Sequence, residues 1–140
     1  MPASDFDRQL PYLVARANRV IHAQLHARLK ERGVPVEQWR ILTALADGQG
    51  RSMGELAETV LMNHSALTKT IDRMVMRALV HRRHDPADNR RVLVYVSEFG
   101  EELLAACNRE VDGYQSALAA KLGAAKAAQL RDLLDSLVAE

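Results

Sequence analysis

Residues Val80 to Val96 read VHRRHDPADNRRVLVYV, and their interpretation decides the fold. Val80–His84 and Val92–Val96 are two short strand-like runs. In the second, Val92, Val94 and Val96 share one face, and Leu93 and Tyr95 the other. The intervening Asp85-Pro86-Ala87-Asp88-Asn89 is rich in turn formers. Arg82 and Arg83 precede this tip, and Arg90 and Arg91 follow it. A two-stranded ribbon is marginal alone and must lean on a larger body. A cationic hairpin projecting from such a body is suited to reaching along a polyanion.

Working outward, the charge distribution supports that reading better than the total does. The 140 residues carry a formal net charge of only +1. Between Asn63 and Arg91, however, seven Lys and Arg face three Asp, leaving +4, with His64, His81 and His84 in the same window. From Ser97 to Glu140 four bases meet eight acids, leaving −4. One end of the molecule is thus fit to meet phosphates while the other stays acidic. The length predicts one compact unit, or one unit with a helical extension, and the 48% hydrophobic content supports a core. The single cysteine, Cys107, excludes an intramolecular disulfide framework. No apolar run reaches the length of a membrane span, and no signal-peptide pattern opens the chain. The expected location is therefore the cytoplasm, with no membrane partner.

The flanks are helical. Phe6, Leu10, Leu13, Val14, Ala17, Val20, Ile21, Leu25 and Leu29 recur at spacings of three and four, predicting a long first helix that ends near Gly33. Pro35 opens a second helix, with Val36, Trp39, Leu42, Leu45 and Ala46 inward. Ser52-Met53-Gly54-Glu55 is a capping box for a short third helix over about 53–58. Asn63 caps the fourth helix, whose apolar stripe is Leu67, Ile71, Met74, Val75 and Ala78. Its other face carries His64, Ser65, Thr68, Lys69, Asp72 and Arg73. Ser97 caps the fifth helix, Gly123 breaks it, and a sixth follows with Leu130, Leu133, Leu134, Leu137 and Val138.

The expected fold is mainly α with a small β-hairpin: a winged helix-turn-helix with N- and C-terminal dimerisation helices. Residues 1–34 and 97–140 form the helical dimerisation region, and residues 35–96 the winged DNA-binding domain. The terminal helices retain apolar faces that a second copy can bury in an isologous dimer.

The chain resembles the MarR family of transcriptional regulators over essentially its whole length. The marks are Gln38-Trp39-Arg40-Ile41-Leu42, Glu55-Leu56-Ala57, Ile71-Asp72-Arg73-Met74 and, most specifically, Asp85-Pro86-Ala87-Asp88-Asn89-Arg90-Arg91 followed by a β-run and Ser97-Glu98-Phe99-Gly100. The resemblance implies a homodimer on double-stranded DNA, with the fourth helix in the major groove and a wing arginine in the minor groove. Major-groove contacts then fall on Ser65, Thr68 and Lys69, beside His64 on the same face. Arg73 holds phosphate or braces the wing, Asp88 pairs with wing arginines, and Arg90 enters the minor groove. Asn89 and Arg91 depart from the common pattern, which makes Arg91 a second candidate for that contact. Ala87 also departs, standing where part of the family has arginine. Ala78 replaces the glycine that usually ends the fourth helix. Alanine at positive φ costs roughly 1 kcal/mol, so the helix is expected to end without a left-handed residue.

The expected function is a dimeric, sequence-specific regulator, a ligand-responsive repressor on a pseudo-palindromic operator. The resemblance also implies a small aromatic or phenolic effector, for which Arg16, His22, His26 and Trp39 are the candidate residues. The plainer reading of Trp39, and the one favoured, is a core tryptophan bracing the second helix. His22 and His26 stand four apart, a spacing able to bind metal, but without a third ligand; no metal and no cofactor is expected. Cys107 reads as a small buried hydrophobe. Two alternatives remain: a winged-helix protein-interaction module without DNA binding, and a small hydrolase. His64, Ser65 and Asp72 include hydrolytic residue types, yet they project from one helix instead of converging, and no phosphate-cradling glycine loop is present. The chain is therefore expected not to be an enzyme.

Overall fold

The computed structural model describes residues 5–140; residues 1–4 of the expected dimerisation region lie outside it. Six main helices and three strands follow the order α1 (Leu10–Lys30), α2 (Val36–Ala44), β1 (Arg51–Ser52), α3 (Met53–Val60), α4 (His64–Met76), β2 (Val80–Asp85), β3 (Asp88–Val96), α5 (Glu98–Leu122), α6 (Ala124–Val138). The mainly helical fold with its small hairpin is the expected one, with one addition. Arg51 and Ser52 pair antiparallel with Val94 and Leu93, so the sheet has three strands in the order β1-β3-β2.

Local chemistry sets most boundaries. Ser52 accepts from the Glu55 amide, Asn63 from that of Ala66, and Ser97 from that of Gly100, each capping the helix that follows. Such side-chain acceptors satisfy N–H groups that the first helical turn leaves unpaired. Gly123, at φ 91°, separates α5 from α6. The third helix runs to Val60, two residues beyond its expected end, and both strands continue toward the tip.

The end of α4 contradicts the expectation for Ala78, which adopts φ 60°. The Leu79 amide bonds the Met74 carbonyl and the Ala78 amide bonds that of Val75, the paired bonds of a Schellman motif. Leu79 is fully buried beyond them. Seating it turns the chain sharply, and that packing outweighs the left-handed cost of alanine. Leu61, at φ 61°, ends α3 in the same left-handed conformation, with its own amide and that of Met62 both reaching the Ala57 carbonyl.

Two apolar clusters organise the molecule. One gathers Ile41, Leu45, Leu56, Leu67, Ile71, Met74, Leu79 and Val94 beneath the helix-turn-helix and sheet. The other gathers Leu25, Leu29, Val34, Cys107, Val111 and Tyr114 where α1 crosses α5. Trp39 and Leu103 pack against both. Gly100 lets α5 begin against the body of the sheet, because a Cβ there would lie 2.2 Å from the Leu79 carbonyl oxygen. That oxygen also accepts from the Ser97 amide and hydroxyl, fixing the junction.

Beyond these clusters the terminal helices are little covered. Only Leu25 and Leu29 of α1 and Ala127 of α6 are buried. Leu10, Val14, Val20, Leu133, Leu137 and Val138 stand exposed. Between α1, α5 and α6 runs a groove of about 640 Å³, lined by Leu13, Val20, Ile21, Leu118, Leu130 and Leu134, with Arg16 and Arg131 at its margin.

Candidate nucleic-acid interface

Helix α4 presents the expected polar face. Leu67, Ile71 and Met74 are buried, so His64, Ser65, Thr68, Lys69 and Arg73 necessarily turn outward, and all five are exposed. The Thr68 hydroxyl donates to the His64 carbonyl at 2.9 Å, leaving its lone pairs outward. The start of α4, just beyond the Asn63 cap, carries the partial positive charge of a helix N-terminus.

The hairpin supplies the second part of the surface. Val80–His84 pair residue for residue with Val96–Val92, and the next pair is Asp85 with Asp88. Asn89, Arg90 and Arg91 therefore bulge out of the ladder, three residues on β3 opposite none on β2. The bulge releases these side chains from the alternation of the strand. Asp85 accepts from the Ala87 amide at 2.9 Å to close the tip. Asp88 accepts from the Arg90 amide at 3.1 Å and from its Nε at 3.3 Å.

The four hairpin arginines differ in what they touch. Arg90 is 92% exposed in its side chain, with Asp88 beside it. Arg91 donates to the Glu55 carboxylate of α3. Arg82 donates to Asp72 of α4. Arg83 lies over the Tyr95 ring at 5.6 Å, whose plane also stacks on His81 at 5.7 Å. Arg73 takes no part in these ion pairs. In the sequence Glu55 stands out as a cap, Asp72 as part of a polar helix face and Arg82 as part of the hairpin, none of them as a member of an ion pair. Their partners lie 36 and 10 residues away, and nothing in local spacing signals the pairing.

The four candidate effector residues are not brought together. His22 meets the Glu37 carboxylate at 3.1 Å, across α1 and α2. Partial burial pushes the Glu37 carboxyl up, but its backbone hydrogen bond, His22 and Arg40 outweigh this and hold it below its ordinary range. Trp39 donates from Nε1 to Asn108 of α5 at 3.1 Å, bracing α2 as a half-buried core residue. Arg16 lies over Tyr12 and lines the groove between α1, α5 and α6, while His26 is exposed. Cys107 is fully buried, and burial raises its thiol against the opposing pull of Arg32 and Arg77. Among the described residues no group of three or more His, Cys, Asp or Glu is placed to hold a metal, and no helix is long and apolar enough to cross a membrane.

Comparisons with known proteins follow the same geometry. The MarR family profile matches residues 32–91, from the end of α1 to the bulged arm of the hairpin. An uncharacterized HTH-type transcriptional regulator of Mycobacterium bovis is 30% identical over 135 residues, 96% of this chain and 94% of that protein. The transcriptional regulator HosA of Escherichia coli O111:H- is 39% identical over 69 residues, 49% of this chain. That match spans about half of HosA, 51% of its length. The crystal structure of NadR in complex with 4-hydroxyphenylacetate superposes with a TM-score of 0.78 at 28% identity, covering 92% of each chain. With a relative matched from end to end and the winged helix matched within it, the chain belongs to the MarR family of transcriptional regulators.

Proposed function

We propose that this chain works as a homodimer that binds double-stranded DNA sequence-specifically, as a ligand-responsive repressor on a pseudo-palindromic operator. The observation that carries this reading is the combination of an outward polar face on α4 with an almost fully solvated Arg90 on the bulged arm. Ser65, Thr68 and Lys69 are suited to base edges in the major groove, with His64 beside them. Arg73 is suited to phosphate. Arg90, directed by Asp88, is suited to the negative potential of a narrow minor groove. Arg91 serves the wing through Glu55.

The exposed apolar faces of α1 and α6 support a dimer in which residues 1–34 and 97–140 form the shared helical region and residues 35–96 the DNA-binding domain. Two reading helices related by a two-fold axis require half-sites about 10 bp apart. The complex of NadR with 4-hydroxyphenylacetate favours a small aromatic or phenolic acid as effector. Such a ligand releases DNA by preferring a dimer whose reading heads are differently spaced. On this reading the protein acts in the cytoplasm on the chromosome and carries out no reaction of its own.

The test is selection of duplexes from a random-sequence pool, followed by binding at two ionic strengths and sedimentation of the free protein. The expected results are a two-fold symmetric consensus, a steep salt dependence and a dimer. A monomer that retains no duplex at low salt would overturn the reading. Trp39 fluorescence, titrated with varied aromatic acids, tests the effector class; no saturable change with any of them would remove it.

A further inference from the structure

The Glu55 carboxylate is an acid placed against the arginine-bearing arm of the hairpin, and it is held there. Glu55 accepts from the Ser52 hydroxyl at 3.0 Å, while its own amide donates to the same hydroxyl at 3.2 Å. This reciprocal cap fixes the first turn of α3. Ser52 in turn lies opposite Leu93 in the β1–β3 ladder. Arg91 is two residues nearer the tip than Leu93, next to the point where β3 passes α3. Its guanidinium donates to Glu55. Arg91 is also the last residue of the three-residue bulge, just beyond the Val92–His84 pair at which the β2–β3 register shifts. Between that pair and the next, Asp85–Asp88, the ladder is interrupted, and the His84 ring nitrogen meets the Asn89 carbonyl at 2.9 Å, a contact that leaves the Arg91 side chain to Glu55.

We propose that Glu55 is a positioning residue for DNA binding: by holding Arg91 at the root of the bulge, it aims the arm that carries Arg90. The inference rests on the DNA-binding reading given above. It also makes a prediction opposite in sign to simple electrostatics. Neutralising an acid beside phosphates strengthens attraction when the acid only repels. If the acid positions the arm, neutralising it weakens binding.

The experiment uses the full chain and a duplex that the wild-type protein has selected from a random-sequence pool. Glu55→Gln preserves the size and hydrogen-bond acceptor of the side chain. It is expected to weaken binding by about two- to fivefold, the scale of a half-exposed ion pair. The loss is expected to vanish in an Arg91→Ala background, because both substitutions break the same contact. Tighter or unchanged binding by Glu55→Gln would overturn the proposal. An equal loss in both backgrounds would also overturn it, since Glu55 would then act through the α3 cap alone. Failure of the wild-type chain to select any duplex strikes the DNA-binding reading itself. A wild-type success with the wrong sign for Glu55→Gln strikes only this inference.

Discussion

Asp72 of α4 and Arg82 of β2 approach to 2.5 Å, tying the helix that bears the polar face to the strand that leads into the hairpin tip. With Glu55 and Arg91, each strand of the ribbon is tied by one arginine to one helix of the helix-turn-helix. A free ribbon is only marginally stable, so these ties restrict its swing. Both Asp72 and Arg82 are partly solvated, and their coupling energy should be modest. A double-mutant cycle with Asp72→Ala and Arg82→Ala, read by chemical denaturation, should give about 0.2–1 kcal/mol. Faster amide exchange across β2 in each single variant would show that the tie orders the wing; unchanged exchange would show that it does not.

Ala78 offers a stabilising substitution. Its left-handed conformation costs about 1–2 kcal/mol in an L-residue. Glycine removes that cost but gives up about 0.4–1 kcal/mol by freeing the unfolded chain. Ala78→Gly should therefore stabilise by up to about 1.5 kcal/mol, seen as a higher denaturant midpoint at unchanged slope. Leu61→Gly should shift the midpoint the same way, since Leu61 shares the conformation and is 84% exposed. A lower midpoint for Ala78→Gly would show that its methyl group contributes packing beyond the backbone geometry.

What the sequence made legible was local or periodic. The caps at Ser52, Asn63 and Ser97 act within three residues, and each lies where spacing placed it. The buried stripe of α4 follows from its period and leaves His64, Ser65, Thr68, Lys69 and Arg73 outward. What escaped depends on distant partners. Arg51 and Ser52 form a strand only because Val94 and Leu93 arrive beside them. Ala78 turns left-handed because a buried Leu79 demands it. The bulge at Asn89–Arg91 is a property of register, which composition does not reveal. Arg16, His22, His26 and Trp39 are candidates through the family resemblance alone; within one chain three of them meet different partners and His26 stands exposed.

Glu37 should leave a mark on the acid limb of stability. Its carboxyl lies below the ordinary value of 4.5 in the folded chain, as the hydrogen bonds and the charges of His22 and Arg40 prevail over partial burial. A lowered folded value contributes stability that is present above the unfolded value and is lost as pH falls through the folded one. Wild type should therefore exceed Glu37→Gln in unfolding free energy at neutral pH. The two curves should converge as pH drops below 4.5 and through the folded value. Denaturant titrations across that window check this; parallel curves would mean that Glu37 ionisation is not linked to folding.

Arg90 and Arg91 should separate in their effects on DNA, although they are neighbours in sequence. Arg90 projects from the bulge with its side chain 92% exposed, whereas Arg91 is engaged by Glu55. A solvated arginine entering the minor groove releases counterions without first breaking a strong protein contact. Arg90→Ala should weaken binding to all duplexes and reduce the magnitude of the slope of log affinity against log salt by about 1. Arg90→Lys should restore most of that slope, because the charge returns. Arg91→Ala should instead reduce affinity chiefly for the selected duplex, with a smaller change in slope, because what is lost is the aim of the arm. Binding isotherms for the three variants at several salt concentrations decide the matter. If Arg90→Ala leaves both slope and affinity unchanged, Arg90 has no part in the interface.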